Sequence, residues 1–135
     1  MAKSITIKNK EYNLIYGMEF VRQLDAIAGE KVQGMSQGIG FGLGMTVARL
    51  EMGEFAPEYV FKDIIKAATA TQIAPPKDDD IEDFIYDVIY KDDKSFEKYK
   101  DSFLESFEKS KACQRQMKKL ANLETQETEE ATKKD

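Results

Sequence analysis

The segment DDIEDFIYDVI, from Asp79 to Ile89, indicates what kind of fold the chain adopts. Its apolar residues recur every three or four positions, which is the period of a helix with one buried face. These residues are Ile81, Phe84, Ile85, Val88 and Ile89. Asp79 is a suitable N-cap residue, and Glu82 follows three positions later, as in an acidic variant of the capping box. We therefore predict an amphipathic helix that begins at Asp79.

The same period recurs along most of the chain. Four further helices are predicted, at about Met18–Ala28, at Leu43–Met52, from near Pro57 onward, and at Phe96–Leu120. Only the segment SITIKNKEYNLIY, residues 4–16, alternates apolar and polar positions, and it predicts a β-hairpin with a tight turn at Asn9 and Lys10. The predicted fold is mainly α, with a small N-terminal β-hairpin (α+β) and about five helices.

Length and composition predict one domain. A chain of 135 residues that is 41% hydrophobic can bury one modest core. We assign residues 1–123 to this domain. The remaining residues, 124–135, are polar, acidic and aperiodic, so we predict a disordered acidic tail.

Composition also disfavours several classes of function. The net charge of -5 gives no general attraction for a nucleic-acid backbone. Histidine is absent and Cys113 is the single cysteine, so we expect no metal site, no cofactor and no disulfide. No apolar run approaches the length of a membrane span, and we expect a location in the cytoplasm.

The segment GMSQGIGFGLGMTVARL, from Gly34 to Leu50, contains five of the eight glycines. It has no lysine at the position that a P-loop requires, and its glycine spacing does not match a dinucleotide-binding loop. An extended segment would place alternate apolar residues on one face, whereas a helix would align the glycines at 34, 38 and 42 for close packing. Both geometries give an apolar surface, which either packs in the domain's own core or contacts another chain.

We assign partner binding to apolar residues of this segment and of the last predicted helix. The assigned residues are Met35, Ile39, Phe41, Leu43, Met45, Phe103 and Phe107. No catalytic residue is assigned, because an enzyme would have to use carboxylates such as Asp25 or Glu51 in a pocket that no motif indicates.

Two charged runs admit two interpretations. Eight acids lie between Asp78 and Asp93, and five basic residues lie between Lys109 and Lys119. Each run is either a solvated helix face or part of a contact in which the basic helix of one subunit meets the acidic helix of another. The acidic run also supports an alternative function, that of an acidic helical adaptor or host-directed regulator that masks a basic partner.

The order of these features resembles a known family. The hairpin and first helix ITIKNKEYNLIYGMEFVRQLD precede the glycine-rich GIGFGLGMTVARLEMG, then AATA, then the acidic helix DDIEDFIYDVI. This order resembles the tail assembly chaperones of long-tailed (siphovirus-type) phages and prophages of Gram-positive bacteria, over roughly Ile5 to Lys119.

The resemblance implies a small helical protein without enzymatic activity that acts in the cytoplasm of the bacterial host. Such chaperones bind and solubilise the tape measure protein, can self-associate along it, and help to recruit tail tube protein. They are absent from the mature virion. Family members are often also made in a longer, frameshifted form whose added domain contacts the tail tube protein.

Overall fold

A computed structural model describes residues 4–28 and 41–133 of the chain. The described residues form a two-stranded hairpin, six α-helices and two short 3₁₀ turns. The strands are β1 (Ser4–Ile7) and β2 (Lys10–Asn13), the helices are α1 (Met18–Ala28), α2 (Phe41–Glu51), α3 (Tyr59–Ala68), α4 (Asp78–Asp87), α5 (Asp93–Lys109) and α6 (Lys111–Lys133), and the 3₁₀ turns are Gly53–Phe55 and Ile89–Lys91. This architecture confirms the predicted mainly α fold with an N-terminal hairpin.

The hairpin is antiparallel, with Ile5 opposite Tyr12 and Ile7 opposite Lys10. Its two-residue turn is formed by Lys8 and Asn9, whose φ angles are 52° and 65°, one residue earlier than the predicted turn at Asn9 and Lys10. Positive φ at both central residues matches the right-handed twist of paired strands, which explains the tight turn. Both Ile5 and Ile7 face the core, and they attach the hairpin to the helices.

Helix α3 lies at the centre of the core. Val60, Phe61, Ile64 and Ile65 are fully buried, so one face of α3 is covered along its whole length. The backbone N–H of Ile15, just after the hairpin, donates to a carbonyl at the end of α3. Helix α3 also contacts α1, α2 and α4.

Two groups of aromatic rings tie distant parts of the chain together. Phe61 of α3 packs edge-on against Phe96 of α5, with ring centroids 5.7 Å apart. Tyr16, before α1, packs edge-on against Phe20 and Phe107, at 5.0 and 5.8 Å. The second group joins the start of the domain to the end of α5. The core is therefore complete only when these two segments pack together.

Several predicted helix ends differ from the structure, including the starts of α2, α3 and α5, which lie two or three residues from their predicted positions. Helix α4 begins at Asp78 with Lys77 as its N-cap residue, and Asp79 lies inside the first turn. The prediction that Asp79 caps this helix is therefore wrong. The three aspartates of that first turn still place negative charge at the positive end of the helix dipole, which is stabilising.

The long helix predicted at Phe96–Leu120 is two helices, because the chain breaks at Ser110. Ser110 has extended backbone angles (φ -81°, ψ 125°), and its hydroxyl oxygen accepts a hydrogen bond from the N–H of Cys113 at 3.2 Å. Ser110 thereby acts as the N-cap of α6. The same hydroxyl donates to the carbonyl oxygen of Tyr16, so a tertiary contact fixes the break.

Helix α6 continues to Lys133, through residues that the sequence assigns to a disordered tail. The backbone is therefore helical there. Whether residues 124–135 contribute to folding stays a prediction. No helix within residues 4–28 and 41–133 combines the length and the apolar character of a membrane span.

Candidate interaction surface

The glycine-rich segment is helical from Phe41 onward, where α2 begins. Gly42 packs directly on the backbone of α1, because a Cβ atom built at this position would lie 2.4 Å from the carbonyl carbon of Leu24. Gly44 faces α6, and its Cβ would lie 2.8 Å from a methyl group of Leu120. These two glycines therefore serve close packing inside the domain, while residues 34–40 lie outside the described ranges.

Asp25 holds the first turn of α2 in place. Its carboxylate accepts a hydrogen bond from the N–H of Gly42 at 3.1 Å. N–H groups in the first turn of a helix have no partner within that helix, so a carboxylate from α1 supplies one. This carboxylate, considered above as a candidate for chemistry, has a structural role.

Three residues of the assigned partner-binding set lie in the core, and their assignment to partner binding stays a prediction. Leu43 is fully buried, and Phe103 and Phe107 of α5 also lie in the core. These three side chains hold the domain together, and Phe107 also borders a groove that is described below. Met35 and Ile39 lie outside the described residues, and their assignment stays a prediction.

The other two assigned residues, Phe41 and Met45, remain partly exposed on one face of α2. Successive helical residues are about 100° apart, so Ala48 and Met52 lie on the same face. Ala48 is exposed, and Met52, the first residue after α2, is 52% exposed. We call these four residues, Phe41, Met45, Ala48 and Met52, the outer stripe of α2. A helix that is apolar on its outward face as well as its inward face is typical of a buried or partnered helix.

Exposed aromatic residues continue this surface beyond α2. Phe55, in the 3₁₀ turn that follows, is 77% exposed, and Tyr59 at the start of α3 is about half exposed. The guanidinium carbon of Arg49 lies 5.5 Å from the centre of the Tyr59 ring, at cation–π distance. The sequence prediction missed Met52 and Phe55. For Met52 the sequence contained a signal, because positions 41, 45, 48 and 52 recur with the period of a helix and all four are apolar.

A groove lies on another side of α2, between α2, α5 and α6. It has a volume of about 450 Å³ and is lined by Val47, Glu51, Leu104, Phe107, Glu108, Gln114 and Met117. Its lining is mostly apolar, and two carboxylates and one amide lie among the lining residues. An open apolar groove with a few polar groups is a typical site for a partner side chain or helix.

The acidic run is largely engaged within the domain. Lys66 of α3 lies 3.1 Å from a carboxylate oxygen of Asp78, and Lys62 lies 3.3 Å from Glu82. Lys8 of the hairpin turn lies 3.7 Å from Asp80 and is also close to Asp83. Exposed pairs of this kind add little stability, yet they reduce the negative charge that α4 presents to a basic partner.

Most of the basic run, in contrast, is exposed and forms no ion pair within the described residues. Lys109 pairs with Glu105 within α5, at 2.7 Å. Lys111, Arg115, Lys118 and Lys119 are exposed on α6, and no ion pair is found for them within the described part of the chain. The exposed positive charge therefore lies along the first half of α6.

Several buried polar groups have perturbed pKa values. Burial raises the pKa of the Cys113 thiol, which stays protonated and enclosed in the core. Burial also raises the pKa of Tyr16, partly offset by a hydrogen bond with Ser106. Partial burial raises the pKa of Asp63, and the positive charge of nearby Arg49 offsets only part of this rise. Across the described ranges, no three potential metal ligands come together.

The comparison with known proteins gives a family. Residues 4–122 match the family described as phage tail assembly chaperone protein, TAC. No curated protein and no solved structure gave a significant match. The matched residues include the hairpin, all the helices that form the core and the first half of α6, which is most of the chain. The chain therefore belongs to the phage tail assembly chaperone family.

Proposed function

We propose that this chaperone binds and solubilises the tape measure protein during tail morphogenesis, through a surface built on the outer stripe of α2. The observation that supports this proposal is the stripe itself. Phe41, Met45 and Met52 carry no charge and remain outside the core, in a chain that is 33% charged. Exposed apolar surface of this extent is a common mark of a protein-binding site.

The chemistry of the stripe suits a chaperone. A tape measure protein is a long helical chain whose apolar stripes lack cover until the tail tube encloses it. Methionine side chains adapt to partners of different shape, and Met45 and Met52 are two of the four stripe residues. Phe55 extends the stripe by a large aromatic ring, the kind of side chain that dominates binding energy at interfaces.

The proposed cycle needs no catalytic group. Release requires only that tail tube subunits compete for the same apolar surface, so neither ATP hydrolysis nor a metal takes part. The chaperone helps to recruit these subunits and is absent from the mature virion. A longer frameshifted form, where one is made, would contribute the contact with tail tube protein.

We place this action in the cytoplasm of the bacterial host, and we place the chain among chaperones of long-tailed phages or prophages of Gram-positive bacteria. Self-association along the tape measure is also part of the proposal. Four of the six acids of α4 already pair with Lys8, Lys62 or Lys66, so we expect the basic face of α6 to contact other acids of a second copy.

Co-expression with tape measure fragments tests the proposal. The variant Met52→Asp/Phe55→Asp places two charges on the proposed surface at exposed positions, so folding should be retained. The matched control, Met18→Asp/Ile27→Asp, makes the same change at exposed apolar positions of α1. We expect the fragment to move to the insoluble fraction with the first variant and to stay soluble with the second.

Circular dichroism of each purified variant verifies that it is folded. A folded Met52→Asp/Phe55→Asp variant that keeps its fragment as soluble as the wild type would show that this surface does not bind the tape measure. Insolubility of the fragment with the wild-type chaperone itself would contradict the proposed function as a whole.

A further inference from the structure

The groove between α2, α5 and α6 is distinct from the outer stripe. Val47 and Glu51 lie on the side of α2 that faces the groove, whereas Met45 and Met52 point away from it. Leu104 and Phe107 of α5 and Met117 of α6 complete the apolar lining. The two surfaces can therefore be occupied at the same time.

Two carboxylates flank this apolar lining from opposite walls. Glu51 belongs to α2 and Glu108 to α5, and both side chains are exposed. Among the described residues neither carboxylate forms an ion pair, although many other acids of the chain do. Gln114 of α6 adds a neutral polar group. The groove thus combines an apolar floor with unpaired carboxylates on α2 and α5, whereas the α6 wall carries the exposed Lys111 and Lys118 beside Gln114.

We propose that this groove is a second docking site, and that it binds one face of a positively charged amphipathic helix. A large apolar side chain of the partner enters between Val47, Leu104 and Met117, as in other complexes in which a helix occupies a groove. Lys or Arg residues on either side of that anchor meet Glu51 and Glu108. This inference does not depend on the tape measure protein being the partner at the outer stripe.

The carboxylates decide which class of helix fits. A neutral or acidic helix would cover Glu51 and Glu108 without supplying a counter-charge, and burying an unpaired charge is costly. A basic helix supplies the counter-charge on both walls. Met117 is 38% exposed and flexible, so the groove can adjust to anchors of different shape.

The test uses the full-length chaperone with ¹³C-labelled methionine methyl groups. Three designed peptides of about 18 residues, each about five helical turns long, serve as probes. One is an amphipathic Leu/Lys helix, the second replaces every Lys by Glu, and the third replaces every Leu by Ser. We expect only the Leu/Lys peptide to shift the Met117 methyl resonance, while the resonance of Met18 on α1 stays unchanged.

The variant Glu51→Gln/Glu108→Gln removes both charges without changing side-chain size. Since an exposed ion pair contributes about 0.2–1 kcal/mol, the loss of two pairs should weaken binding of the Leu/Lys peptide about two- to thirtyfold. The matched control Glu11→Gln/Glu54→Gln neutralises two exposed acids outside the groove and should leave binding unchanged.

Three results would overturn the inference. Equal binding of the Leu/Lys and Leu/Glu peptides would show that the groove does not prefer a basic helix. Shifts at Met45 and Met52 without a shift at Met117 would place the peptide on the outer stripe. A change in the sedimentation of the unliganded protein on Glu51→Gln/Glu108→Gln substitution would show that a second copy of the chain occupies the groove. None of these results bears on tape measure solubility, which is measured separately.

Discussion

Replacing Gly42 by alanine tests how closely α1 and α2 pack. The added Cβ would lie 2.4 Å from both the carbonyl carbon and the carbonyl oxygen of Leu24, and 2.6 Å from the nitrogen of Asp25. All three atoms belong to the backbone of α1, so no side-chain rotation relieves the overlap. The two helices must move apart by a substantial part of an ångström.

The size of the effect follows from three contributions. Forcing one extra methyl group into a packed core costs about 1–3 kcal/mol. Separation of the helices also weakens the hydrogen bond between the Gly42 N–H and Asp25, and such a bond contributes about 0.5–1.5 kcal/mol. Alanine regains up to about 1 kcal/mol through its higher helix propensity. We therefore expect Gly42→Ala to lower the free energy of unfolding by about 2 kcal/mol.

Gly44→Ala is the matched control, because the same substitution is made two residues later in the same helix. Its Cβ would lie 2.8 Å from Cδ1 of Leu120, which is the end of a flexible side chain and can rotate away. The propensity gain remains while most of the packing cost disappears. We expect this variant to have the stability of the wild type, or to exceed it by up to about 1 kcal/mol.

Urea unfolding of the two variants and the wild type, followed by circular dichroism at a helical wavelength, measures both effects. A difference of about 2–3 kcal/mol between the alanine variants is the expected outcome, and it corresponds to a thermal shift of several degrees. Equal stability of Gly42→Ala and Gly44→Ala would refute the close contact between α1 and α2.

Three further predictions concern other parts of the domain. Ser110→Ala removes the N-cap of α6 and should cost about 1 kcal/mol in urea unfolding, whereas Ser110→Thr, which keeps the hydroxyl, should cost less. Burial raises the pKa of Tyr16 in the folded state, so the free energy of unfolding should fall as pH rises above about 10, and Tyr16→Phe should reduce that fall. Truncation after Leu123 should leave the melting temperature nearly unchanged; a large loss would show that the removed residues dock on the domain.

The elements with strong local periodicity were predictable from sequence. Helix α1 spans Met18–Ala28 in both the prediction and the structure, because its apolar spacing is regular. Four of the five residues predicted for the buried face of the fourth helix are buried, and the fifth, Val88, packs against the core. In these segments the local pattern and the tertiary packing agree.

The break at Ser110 was not predictable in the same way. The apolar spacing of α5 stops after Phe107, because the positions three, four and seven residues later are Ser110, Lys111 and Gln114. One polar turn is a weak signal, however, and does not distinguish a break from a continuous helix. What ends α5 is a hydrogen bond from Ser110 to the carbonyl oxygen of Tyr16, a residue 94 positions away in the chain. A serine before a helical segment is a known N-cap signal, but a prediction based only on apolar spacing does not use it.

The assignment of surface residues left the backbone geometry of the glycine-rich segment open. It included Phe41, Leu43 and Met45 together, and these three share one face only in an extended chain. In a helix, Leu43 lies on the side opposite Phe41 and Met45, and the structure buries it. Helical spacing would instead have added Met52, which lies on the exposed side.

The pairing of Tyr16 with Ser110 and Phe107 also sets the order of events during synthesis. The ribosome releases the N-terminal hairpin and α1 first, yet their packing partners on α5 and α6 are among the last parts of the domain to emerge. Individual helices can form early, but contacts between such distant residues require closure of nearly the whole chain. The core of this chaperone is therefore completed only after translation of the domain is almost finished.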